Sequence, residues 1–205
     1  LFLDHPFFGS ATTKRPIKYT YDPRIKTAAM SPRGQMYINP IFACSLSVGQ
    51  IMFLLAHEAL HYMLCHATRR GTRNPECWNI AADQVINDTL LDAAVGEWIQ
   101  GCVTLDGARD MSAEELYVDP PEGGTKGKGN GGIGDDIGCP FDDEILDESE
   151  IRQIEAEAKI DAQQAKKAAK ARGKLSTCLE RLVDALTEVK TPWDQILERH
   201  MTSKI

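Results

Sequence analysis

His57-Glu58-Ala59-Leu60-His61 stands inside a segment, Val48 to Thr68, where Ile51, Met52, Leu54, Leu55, Leu60, Met63 and Leu64 recur at helical spacing. Ser47 is placed to cap that helix. Gln50 follows it by three residues, so the hydroxyl and the amide can each satisfy a backbone N–H that the first turn leaves open. Arg69, Arg70 and Gly71 suit its far end, as basic residues and glycine do. Residues four apart differ by about 40° around a helix, so His57 and His61 project from one face and can share a metal ion. The pattern predicts a zinc ion on the two histidines, with Glu58 off the metal and taking a proton from the attacking water. It arises by chance in roughly one chain per hundred of this length, so its surroundings must support it. They do in one respect: two histidines and a glutamate inside a mostly apolar helix are costly unless paired. A metal would pair them; the alternative is a set of histidines hydrogen-bonded within a core.

Catalytic zinc sites usually take three protein ligands and keep one position for water. Pro75, at a natural helix start, opens a second segment running to about Asp92, with Trp78, Ile80, Ala82, Val85, Ile86, Leu90 and Leu91 as its apolar positions. Asn79, Asp83 and Asn87 recur every fourth residue on one stripe of this helix. Asp83 is the ligand candidate. It follows His61 by twenty-two residues, room for one helix to end, a turn at Gly71 to Asn74, and a second helix to cross the first. Asn79 and Asn87 are then expected to hold Asp83 or a histidine ring by hydrogen bonds. The competing reading is a polar stripe facing water.

Cys65 extends the 57, 61 stripe by four residues, and His66 and Cys77 are near, so a closed His/Cys site is also conceivable. Against it, no Cys-x-x-Cys pair occurs among the six cysteines. His66 falls about 140° from the ligand face and reads as a surface or C-terminal helix residue rather than a fourth ligand.

The rest of the chain bounds the answer. With 205 residues, 42% hydrophobic and 26% charged, it can build one ordinary core plus an appendage. The longest apolar run, near Ile51 to Ala56, is far short of a membrane span. The stretch from Leu1 does not read as a secretion signal, which leaves open an upstream piece that has been removed, and six unpatterned cysteines suggest a reducing cytoplasm. A net charge of -7 argues against a general nucleic-acid binder. The first 45 residues carry strand signals: Pro16 to Tyr21, Lys26 to Met30, then the turn Ser31-Pro32-Arg33-Gly34 and Gln35 to Asn39, read as a small antiparallel sheet. Asp119 to Gly138 holds eight glycines and two prolines and reads as a linker. Its Gly127-Lys128-Gly129-Asn130-Gly131-Gly132 lacks the flanking strand and helix of a dinucleotide cradle. Glu144 to about Arg172 predicts a long helix, broken at Gly173, before an amphipathic one at Leu175 to Val189 and a short one beginning at Trp193. The long helix can pack on the core, cover its cleft or meet a partner.

Several stretches together resemble a known family: His5-Pro6-Phe7-Phe8-Gly9, Lys26-Thr27-Ala28-Ala29, Tyr37-Ile38-Asn39-Pro40, the His57 to His61 run, Trp78-Asn79-Ile80-Ala81-Ala82-Asp83, Met111-Ser112-Ala113-Glu114-Glu115-Leu116-Tyr117 and Thr191-Pro192-Trp193-Asp194-Gln195-Ile196-Leu197. They are similar to the bacterial and phage predicted metal-dependent peptidases found joined to a von Willebrand A-like domain. The resemblance implies a zincin-like fold, with His57, His61 and Asp83 as metal ligands and Glu58 as base. In such an arrangement the strand Gln35 to Asn39 would form the cleft rim, where a peptide can add as a further strand.

The sequence thus predicts an α+β chain. Residues 1–118 form a zincin-like core with a small antiparallel sheet and two metal-bearing helices, residues 119–141 a flexible linker, and residues 142–205 a helical module. The expected activity is a cytoplasmic zinc metallopeptidase acting on proteins or peptides, with no nucleic-acid or membrane partner. Tyr62 and Tyr117 are candidates for stabilising the oxyanion. The alternative is a catalytically silent metal-binding adaptor that works with a von Willebrand A-like domain and an AAA ATPase, an ATP-driven chaperone.

Overall fold

A computed structural model describes residues 1, 3–120 and 146–188. Among these the chain is α+β, a three-stranded mixed sheet wrapped by helices. The expected linker lies almost wholly outside the described residues, as do Gly127 to Gly132 and Thr191 to Leu197.

The central element is α3 (Val48–Met63). Ser47 caps it as its sequence implies: Ser47 Oγ accepts from the Gln50 N–H at 3.1 Å, and Gln50 Oε1 accepts from the Ser47 N–H at 3.0 Å. Phe53, Leu54, Ala56 and Leu60 are fully buried along it. The helix stops earlier than its hydrophobic pattern suggests. Cys65 takes the left-handed conformation (φ 55°), and His66–Arg69 form a separate short helix, α4; α2 (Pro40–Cys44) precedes α3. Left-handed backbone costs a non-glycine residue roughly 1–2 kcal/mol. Here the kink buries Leu64, Cys65 and His66, and two carbonyls at the break are taken up by side chains: Arg69 Nη1 donates to Leu64 O at 2.8 Å and Thr68 Oγ1 to Cys65 O at 3.2 Å.

The sheet departs from the expected antiparallel one. Its order is β1 (Ile17–Tyr19), β3 (Met36–Ile38), β2 (Ala28–Met30). β2 and β3 form an antiparallel hairpin, while β1 lies parallel to β3 on its other side. A tight turn forces the first relation: Ser31 to Gly34 leaves no room for a crossover. Gly34 is favoured in that turn because its φ is 80°, in the left-handed region, and the Arg15 guanidinium and Tyr62 ring crowd the place a Cβ would take. The eight residues between β1 and β2 are free to loop, so β1 takes the remaining edge. β3 is therefore the middle strand, and Gln35 to Asn39 is no cleft rim.

A second departure lies at the N-terminus, where residues read as strand-rich include the helix α1 (Pro6–Thr13). Phe7 and Phe8 on it are buried. Their partner is distant in sequence: α7 (Glu148–Ala171) packs along α1 and α3. Ile154, Ala158, Ala162, Ala165 and Ala169 make a buried stripe on α7, small enough for the helices to approach closely, and Lys14 pairs with Asp161 at 2.7 Å beside it. α5 (Pro75–Asp92) crosses α3, α6 (Ala113–Leu116) packs on α5, and α8 (Thr177–Thr187) folds back on α7. One continuous cluster of buried side chains runs from Phe7 to Val183. Of the placements open to the long helix, packing on the core is the one observed. Ala162→Leu, which forces extra methylenes into the seam, should lower stability by about 1–3 kcal/mol. Urea unfolding checks it, and an unchanged midpoint would mean that the seam is loose. Among the described residues no helix is long and apolar enough to cross a membrane.

Candidate metal centre

The crossing of α3 and α5 brings His57, His61 and Asp83 together. His57 Nε2 and His61 Nε2 are 3.0 Å apart, and Asp83 Oδ1 lies 3.4 Å from the first and 3.0 Å from the second. They form the one cluster of such groups among the described residues that could hold a metal ion. His57 and Asp83 are almost fully enclosed, at 1% and 2% exposure, while His61 keeps some access to solvent. Asp83 is therefore no part of a water-facing stripe.

Asp83 Oδ1 is buried and has no hydrogen-bond partner. A carboxylate oxygen stranded in this way is expensive. The two imidazoles beside it explain why it is tolerated. Burial raises the pKa of Asp83, but His57 and His61 beside it outweigh that effect and hold the carboxyl well below the usual range. Burial likewise lowers the pKa of His57, and Asp83 with help from Glu58 raises it by more. The three atoms make a point that attracts a cation. Two imidazoles and a carboxylate are also the donor types a borderline metal takes.

Each group is held from behind. Asn87 Nδ2 donates to Val103 O at 2.7 Å, which fixes the amide so that Oδ1 faces His57 Nδ1 at 2.8 Å. An amide oxygen only accepts, so Nδ1 carries the ring hydrogen, and in the neutral ring Nε2 keeps a lone pair for the shared point. Asn79 Nδ2 donates to Asp83 Oδ2 at 3.3 Å. The two asparagines thus take the supporting places expected of them. The loop bearing Val103 is itself tied down by Asp88, which accepts from Arg109 N at 2.9 Å and Nη1 at 3.0 Å. Nothing in the sequence marked that pair.

Glu58 is buried at 4% exposure next to His57. The two tyrosines are committed elsewhere: Tyr62 lies beneath the Arg15 guanidinium, 4.0 Å from its ring centre, and the Tyr117 hydroxyl accepts from Asn74 N at 2.9 Å and donates to Asp119 at 2.6 Å. Cys65 turns out of the ligand stripe at the kink. His66 does the reverse of what its spacing suggests. It is buried at 4% exposure, and its Nδ1 lies 3.2 Å from His61 Nδ1. The kink at Cys65 swings it under the site, a turn that a continuous helix would not allow.

Compared with known protein families, residues 1–205 match the one described as "Putative metallopeptidase domain". No curated protein and no solved structure matches the chain.

Proposed function

The chain belongs to that putative metallopeptidase domain family, and from this premise we propose that it is a zinc-dependent peptidase with a zincin-like core, cutting protein or peptide substrates at the His57, His61, Asp83 centre. The stranded Asp83 Oδ1, facing two imidazole nitrogens, carries the proposal. Zinc with bonds of about 2.0–2.2 Å in a tetrahedron sets its ligands about 3.3–3.6 Å apart. The three separations of 3.0, 3.0 and 3.4 Å need only a small expansion to match. Three protein ligands also leave a position open, the mark of a catalytic rather than a structural site.

A bound ion would supply Lewis acidity, acidifying water and polarising the scissile carbonyl. The protein's residues do the remaining work. Glu58 takes the proton of the attacking water and returns it to the leaving amine, which a carboxylate can do in sequence because it is acceptor first and donor afterwards. Asn87 keeps His57 in the tautomer that presents Nε2, and Asn79 fixes the carboxylate of Asp83 through its other oxygen. The free thiols, Cys44, Cys65, Cys77, Cys102 and Cys178 among the described residues, are in keeping with a reducing cytoplasm. The adaptor reading, with a von Willebrand A-like domain and an AAA ATPase, gains nothing further from α7, whose apolar stripe is spent on α1 and α3.

The test is cleavage of an unstructured protein by the purified chain. Stoichiometric zinc is expected, with cleavage lost on chelation and recovered on adding zinc. A folded chain that takes up no divalent metal would overturn the proposal.

A further inference from the structure

We propose that His66 is a positioning residue for His61, accepting the hydrogen of its Nδ1 and so fixing both the tautomer and the tilt of that ligand. This rests on the metal-centre reading above. The argument begins with the ring of His61. Its Nε2 faces His57 Nε2 and Asp83 Oδ1, and its Nδ1 faces His66 Nδ1 at 3.2 Å. If Nε2 offers its lone pair to an ion, the ring hydrogen sits on Nδ1 and needs an acceptor. His66 Nδ1 is placed to be that acceptor, with its own hydrogen on Nε2. Metal-binding histidines normally give their second N–H to a carboxylate, a carbonyl or water. Here a second imidazole occupies the place.

His66 is built into its position. The left-handed Cys65 turns it inward, Trp78 Nε1 donates to its carbonyl at 2.9 Å, and its ring meets those of His61 and Trp78 edge to face at 5.2 and 6.1 Å. Trp78 stands on α5, one and a half turns before Asp83, so the residue that holds His66 shares a rigid element with the third ligand. The centre is thereby symmetrical in principle: His57 is held from behind by Asn87 on the loop of Val103, and His61 by His66 on α4.

A buried imidazole that merely fills space predicts something different. His66→Phe keeps a ring and loses the acceptor, whereas His66→Asn loses the ring and keeps an oxygen close to where Nδ1 stood. Zinc affinity is measured by competition with a chromophoric chelator, and the metal-free fold by circular dichroism and thermal melting. His66→Phe should bind zinc about 10–100-fold more weakly than the parent, and His66→Asn should recover to within a few-fold. In the zinc-loaded chain the His61 Nδ1–H proton signal should persist in the parent and His66→Asn and be lost to exchange in His66→Phe. Should His66→Phe fail to fold, His66→Gln replaces it, because its amide oxygen reaches past the Nδ1 position; it should bind weakly where His66→Asn binds well. Parent-like affinity in His66→Phe or His66→Gln, or equal weakness in His66→Asn, overturns the role of His66 while leaving the metal centre standing. A folded parent chain without zinc affinity overturns both.

Discussion

Replacing Glu58 by Gln should abolish cleavage and leave zinc in place. Glutamine has the size and shape of glutamate and still offers an amide to the neighbouring groups, but it cannot take a proton from water at neutral pH. A positioned general acid or base contributes about 10²–10⁴-fold to rate, or about 3–5 kcal/mol of barrier at 1.36 kcal/mol per tenfold. Metal retention follows from the geometry: the three atoms that face one another belong to His57, His61 and Asp83, and Glu58 is outside the set. The measurement pairs metal content by atomic emission with turnover of an unstructured protein. Turnover close to the parent's would remove Glu58 from the chemistry, and loss of zinc would make it a ligand.

How much of this was legible beforehand depends on the range of the interaction concerned. His57 and His61 share a helix, so their convergence is fixed by the four-residue interval alone. Asp83, Asn79 and Asn87 were visible because three polar residues at regular spacing sit badly in an apolar helix, and the structure buries Asp83 and Asn87. The position of His66 is not legible because the hydrophobic pattern implies an unbroken helix where the chain kinks at Cys65. Cysteine has no preference for left-handed backbone, and tertiary burial at Leu64 to His66 imposes the kink. α1 was hidden for a related reason. Gly9, Thr12 and Thr13 are poor helix formers, and what stabilises the helix is Phe7 and Phe8 packing against a stripe of alanines some 150 residues away. Strand order likewise turns on which edge of β3 a flexible connection reaches, and short alternating runs do not encode that.

Asp83→Ala should erase the stabilisation that zinc confers. An ion that binds only the folded chain stabilises it by RT ln(1 + [L]/Kd), about 4.1 kcal/mol when zinc stands at 1,000 times Kd. Loss of a supporting residue weakens metal binding by about 10–100-fold, and Asp83 supplies the one anionic donor of the three, so its removal should cost more than that. At the same zinc concentration the variant then keeps less than about 1.4 kcal/mol of the effect, and the zinc-dependent rise in melting temperature should nearly vanish. Without metal, the variant should fold: alanine removes the stranded Oδ1, a buried acceptor atom, at the loss of the Asn79 hydrogen bond to Oδ2. Asp83→Asn separates charge from shape, since its amide keeps the volume and an oxygen for Asn79 yet gives up the negative charge. An intermediate zinc response from Asp83→Asn would show that both count. A full response from Asp83→Ala would mean that zinc binds elsewhere, and the pair of helices that cross at His57 and Asp83 would then need another explanation for the carboxylate oxygen they bury.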